Sequence, residues 1–153
     1  MQTLQLKEGV EMTEEQEKYG DDSFEGFDEP VENWSKLPHQ FIDMLPSITS
    51  FGEIKVLIYT LRHTWGFHES EKRISLDEYQ YGRKTKGGGR MDCGTGLSRP
   101  TIIAGISAAV KHGYLLVRED NRDLARKKRF YTLRIKTGVK KVYRRSKESL
   151  PRT

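Results

Sequence analysis

The stretch Gly94–Val117, GTGLSRPTIIAGISAAVKHGYLLV, holds the start, the apolar stripe and the stop of one helix. Ser98 is placed to cap it, and Pro100 falls in the first turn, where a missing N–H leaves no hydrogen bond unmade. Ile102, Ile103, Ile106, Ala109 and Val110 recur at helical spacing and predict the buried face. Gly113 stands where the chain leaves a helix through a left-handed residue. The opposite side carries Thr101, Ala104, Ala108 and Lys111, small residues but for the last. Such a face lets the helix backbone approach a second surface closely. The hydroxyls and Arg99 gather at the N-terminus, where unpaired N–H groups favour phosphate. A plainer reading stands beside this one: Ser98 only caps, and Ala104 and Ala108 are good helix formers on a solvated or packed face.

Downstream, YLLV reads as a short strand, and RFYTLRIK alternates Tyr131, Leu133 and Ile135 with Thr132, Arg134 and Lys136. The two predict a hairpin joined by a polar linker from Arg118 to Lys128, with Arg126, Lys127, Lys128 and Arg129 clustered at its far end. Upstream, GRKTKGGGRMDCGTG holds six glycines among Arg83, Lys84, Lys86 and Arg90, which predicts a flexible basic loop. It lacks the Gly-Lys-Ser/Thr ending of a phosphate-binding loop. Before it, Ser75 and Glu78 have capping-box spacing and start a short helix running to about Tyr81. A core helix precedes that, with Ile54, Leu57, Ile58, Leu61 and Trp65 on one stripe and Glu53, Lys55, Thr60 and Arg62 on other faces. A further short helix begins near Pro38.

A core helix, a short helix, a turn, a capped helix and a basic hairpin predict a mainly α fold with a small β-hairpin, a winged helix-turn-helix. The expected organisation is a disordered acidic tail over 1–32, the winged-helix domain over 33–136 and a basic tail over 137–153. Charge follows the same division. Residues 1–32 hold eleven acids and two bases, a balance of −9; residues 33–153 hold 25 bases and eleven acids, +14. A basic domain attracts polyanions, chiefly nucleic acid or an anionic membrane surface. No apolar run is long enough to span a bilayer, and the first residues lack the order of a signal peptide, so the expected location is the cytoplasm.

A single cysteine, Cys93, and four scattered histidines give no metal-ligand pattern, and no cofactor is expected. Catalysis is disfavoured as well. Asp120 and Asp123 fall at a hairpin tip open to water, and no histidine neighbours Cys93 in sequence to serve as its base.

The segments NWSKLPHQFIDMLP, EIKVLIYTLRHTWGF, RISLDEY and GTGLSRPTI resemble the N-terminal winged-helix domain of phage replication protein O and related replisome organisers. The likeness spans roughly Asn33 to Leu116. It implies origin-type binding of double-stranded DNA, with a replicative helicase or other replication proteins as partners, and DNA contacts at Thr95, Ser98, Arg99, Pro100 and Thr101. The glycine-rich loop departs from that pattern by lengthening the turn before the recognition helix.

Read from the residues themselves, Arg99 is the candidate base contact, since arginine pairs bidentately with guanine. Lys111 extends the same face. Arg83, Lys84, Lys86 and Arg90 in the loop, and Arg122, Arg126, Lys127, Lys128 and Arg129 in the hairpin, are candidate phosphate contacts. The expected function is sequence-specific DNA binding in replication initiation or transcriptional control of a phage or mobile element. The alternative is an adaptor of the same fold whose basic face binds an acidic partner.

Overall fold

The computed structural model describes residues 24–123 and 125–136. Most of the acidic tail and the whole basic tail lie outside them; residues 24–32 form neither helix nor strand. The elements are α1 (His39–Asp43), α2 (Phe51–His63), β1 (Lys72–Arg73), α3 (Leu76–Tyr81), α4 (Arg99–Lys111), β2 (Leu115–Asp120) and β3 (Lys128–Leu133). Short 3-10 turns at Leu45–Ser47 and Trp65–Phe67 flank α2. The fold is thus helical with one small antiparallel sheet, in the order β1-β3-β2. Among the described residues no helix is long and apolar enough to cross a membrane.

The local signals act as their chemistry requires. Ser50 caps α2 by accepting from the Glu53 N–H, and Ser98 caps α4 by accepting from the Thr101 N–H. Ser75 and Glu78 complete a reciprocal capping box on α3. Gly113 ends α4 with φ of 81°.

The faces differ from the periodicity. In α2, Leu57 and Leu61 are buried as expected, but Ile58 is exposed, whereas Glu53, Thr60 and His63 are interior. Each of these polar groups has a partner there, which is the condition for burying it. The Glu53 carboxylate lies 2.7 Å from His112 Nδ1, and Thr60 Oγ1 donates to the Val56 carbonyl and meets the Tyr79 hydroxyl at 2.7 Å. Hydropathy ranks such residues as outward, so the true face is turned away from Ile58, while Ile54 still packs at the edge of the core. In α4, Ile102, Ile106 and Ala109 are buried, but Ile103 and Val110, expected in the core, are 49% and 42% exposed.

The two long helices meet through glycine. A Cβ on Gly105 would stand 2.6 Å from the Gly52 carbonyl oxygen, so α4 crosses α2 at backbone contact. The expected outward face is corrected accordingly: Thr101 is exposed yet its methyl packs at the Gly52 crossing, and Ala108 is half-buried.

The sheet holds one strand more than expected. Lys72 and Arg73 pair with Tyr131 and Phe130. A two-residue strand is too short to show alternation, and its partner lies far along the chain. The expected linker also shortens, because Arg118, Glu119 and Asp120 continue β2 opposite Phe130, Arg129 and Lys128. Tyr131 and Leu133 face the core as their alternation predicts, and Tyr131 meets Tyr79 edge to face at 5.3 Å.

Candidate nucleic-acid interface

α4 and its approach from α3 define the candidate interface. The glycine-rich stretch, expected as a flexible loop, is a small hydrogen-bonded hairpin. Lys84 and Arg90 form an antiparallel bridge, the Met91 N–H donates to the Arg83 carbonyl, and the Thr85 N–H donates to the Gly89 carbonyl. Lys86 is exposed at its tip. Arg90 donates to Asp77 Oδ2 at 3.0 Å and to the Gly82 carbonyl at 2.7 Å, and Lys84 Nζ lies 3.8 Å from the same Asp77 oxygen.

Asp92 fastens this hairpin to α2. Its carboxylate accepts from the Tyr59 hydroxyl at 2.9 Å and the Gly94 N–H at 2.8 Å, and faces His63 Nε2 at 3.0 Å. A carboxylate only accepts, so Nε2 carries the imidazole proton. Nδ1 of the buried His63 has no hydrogen-bond partner among the described residues. Gly82 lets the strands close here: at its φ of 110°, a Cβ would overlap the Asp92 carbonyl oxygen.

Burial opposes ionisation of Asp92, but the hydrogen bonds from His63, Gly94 and Tyr59 outweigh it and hold the carboxyl at about 2. Its ordinary value is 3.8. The folded protein therefore keeps Asp92 ionised at acidities where the unfolded chain takes up a proton. The stabilisation is complete above roughly pH 5 and is lost as pH falls through the folded value. Allowing for solvent screening, a fall of about 1 to 2 kcal/mol is expected over that range. Urea midpoints measured from pH 5 to pH 2 check it, with a smaller fall expected in Asp92→Asn.

Beyond Asp92 the chain reaches α4 through Thr95, whose N–H and hydroxyl both donate to the Tyr79 carbonyl. Thr95 thus holds the turn, and its hydroxyl is directed inward. Lys55, absent from the sequence-based candidates, donates to the Thr95 carbonyl at 3.3 Å and brings a cation beside the start of α4. Only its exposed position on α2 could have suggested it.

At the helix start, Ser98 Oγ and Thr101 Oγ1 are 2.9 Å apart. Arg99 and Pro100 are exposed in the first turn, and Lys111 is exposed in the last. Between them the outward surface is Ile103, Ala104, Ser107 and Val110, and α4 contains no acidic residue.

The hairpin of β2 and β3 flanks this face. Its arginines are partly engaged: Arg122 pairs with Asp120, and Arg129 pairs with Glu119 at 3.1 Å across the strands. Arg118 pairs with Glu71 and stacks over Phe130 at 4.2 Å. Arg126 and Lys127 are exposed in the hairpin loop, and Lys128 is half-buried where β3 begins. Arg83, half-buried after α3, lines a separate recess with Lys72, Arg73 and Glu78.

The structure therefore brings Ser98, Arg99, Pro100, Thr101 and Lys111 onto one helix, whereas the loop and hairpin cations form separate groups beside it. Exposed ion pairs are worth about 0 to 1 kcal/mol each, so a phosphate competes readily for their arginines. Among the described residues no group of three or more His, Cys, Asp or Glu is placed to hold a metal ion. No protein-family model matches this sequence, and neither a curated protein nor a solved structure is significantly similar to it.

Proposed function

We propose that this protein is a winged helix-turn-helix that binds specific sequences in double-stranded DNA. The connectivity carries the reading. α2, β1, α3 and α4 precede a hairpin whose second strand pairs with β1, so α3 and α4 form the helix-turn-helix and the hairpin is the wing. α4 is the recognition helix, entering the major groove with its N-terminal residues toward the bases. Arg99 reads a base there, and Lys55 and Lys111 meet phosphates at the two ends of the face. Lys86 in the loop hairpin and Arg126, Lys127 and Lys128 in the wing extend the grip on the backbone.

The resemblance of Asn33–Leu116 to replisome organisers supports a role in replication initiation of a phage or mobile element, with a replicative helicase as partner. Transcriptional control uses the same contacts. The ion pairs at Arg90, Arg122 and Arg129 favour a second reading, an adaptor whose remaining cations meet an acidic protein.

Binding of the full chain to a random duplex pool, selection of the retained sites and a salt series on one selected site separate the readings. Tight, salt-dependent binding to a selected site is the expected result. Arg99→Ala is expected to weaken that site roughly tenfold and a random duplex much less. Failure to bind any duplex at low salt would leave the adaptor.

A further inference from the structure

The outward face of α4 is apolar where the sequence led us to expect a closed core. Ile103 and Val110 are each nearly half-exposed, and with Val117 they line a groove of about 470 Å³ between α4 and the wing. Lys111 and the Arg129–Glu119 pair stand at its rim. A ligand that covers these side chains gains from doing so, since each buried methylene is worth about fourfold in an equilibrium.

Charge selects the occupant. α4 bears Arg99 and Lys111 and no acid, Lys55 lies beside its start, and the wing loop carries Arg126 and Lys127. A surface that is apolar in the middle and cationic at its margins fits a ligand with methyl groups flanked by phosphates. A second copy of this chain would bring the same cations against it. The half-exposed side chains are also far fewer than the 20 to 30 residues a side that a stable protein interface uses.

Resting on the DNA reading above, we infer that Ile103 is a specificity-determining residue that reads thymine through its 5-methyl group in the major groove. Thymine alone among the DNA bases presents a methyl there, and apolar side chains recognise it by contact. Ala104 is small enough to let the helix come within reach, and Ser107 supplies a hydroxyl one turn from Ile103. The pair read by Ile103 is therefore A·T, oriented with thymine toward that side chain and next to the pair contacted by Arg99.

Deoxyuridine in place of thymine removes the methyl and leaves every hydrogen-bonding group intact. The test uses the full chain, a duplex site selected from a random pool and versions of that site with each thymine replaced by deoxyuridine. Wild-type affinity is expected to fall roughly fourfold at one or two positions. Ile103→Ala should bind the thymine and deoxyuridine duplexes equally. Its circular dichroism should match wild type, because the side chain is exposed, and Ile103→Val, which keeps a branched apolar side chain, should retain most of the discrimination. Selected sites without thymine, indifference of wild type to deoxyuridine, or equal discrimination in Ile103→Ala would each overturn methyl reading while leaving DNA binding intact. Failure of wild type to bind any duplex would overturn both.

Discussion

Asp92→Ala is expected to lower folding stability by about 3 kcal/mol, the scale of stranding buried polar partners. The carboxylate holds three groups at once: the Tyr59 hydroxyl, the His63 imidazole and the Gly94 N–H. Two of these lie on α2 and the third on the approach to α4, so one side chain joins the core helix to the segment that leads into α4. With Asp92 gone, the buried His63 loses the partner of Nε2 while Nδ1 already has none among the described residues. Urea denaturation measures the loss, and amide exchange at Gly94 and Thr95 should rise with it. A loss below 1 kcal/mol would mean that Thr95 and the packing at Gly82 fix the loop without the carboxylate.

Gly105→Ala is expected to cost about 2 kcal/mol, although alanine is the better helix former. The added methyl would sit 2.6 Å from the Gly52 carbonyl oxygen and 2.7 Å from its carbon. Backbone on both sides leaves no side chain to swing away, so the helices must separate, at an overpacking cost at the upper end of the usual range, about 3 kcal/mol. The propensity gain of about 1 kcal/mol offsets part of it. Ala104→Gly, one residue earlier and exposed, isolates the propensity term in the opposite direction. Thermal unfolding of both variants checks the pair, and a stabilised Gly105→Ala would show that α2 and α4 do not touch at backbone distance.

The helix ends were legible because capping is local. Ser75 with Glu78, Ser98 with Thr101, and Gly113 each act within a few residues. Helix faces were less legible. Ile58, Ile103 and Val110 look like core by hydropathy but are exposed, whereas Glu53, Thr60 and His63 look like surface but are buried. Their burial depends on His112, Tyr79 and Asp92, partners that only the folded chain supplies. Arg99, Pro100 and Lys111 were readable as exposed because they begin or end a helix. Engagement of Arg90, Arg122 and Arg129 was not, since it depends on Asp77, Asp120 and Glu119 coming into reach.

The position of β3 in the sheet also has a meaning in time. It is the last described strand, and it completes what far earlier residues begin: Lys72 and Arg73 pair with it, and its Tyr131 ring closes over Tyr79. On the ribosome, α2, α3 and α4 emerge first, and translation needs roughly three to ten seconds to travel from Tyr79 to Leu133. Throughout that interval Ile74 and Tyr79, and from its own synthesis onward Leu115, lack the cover that the finished fold gives them. The nascent chain is a partly closed helical cluster until β3 arrives, and that is when chaperones and aggregation compete for it.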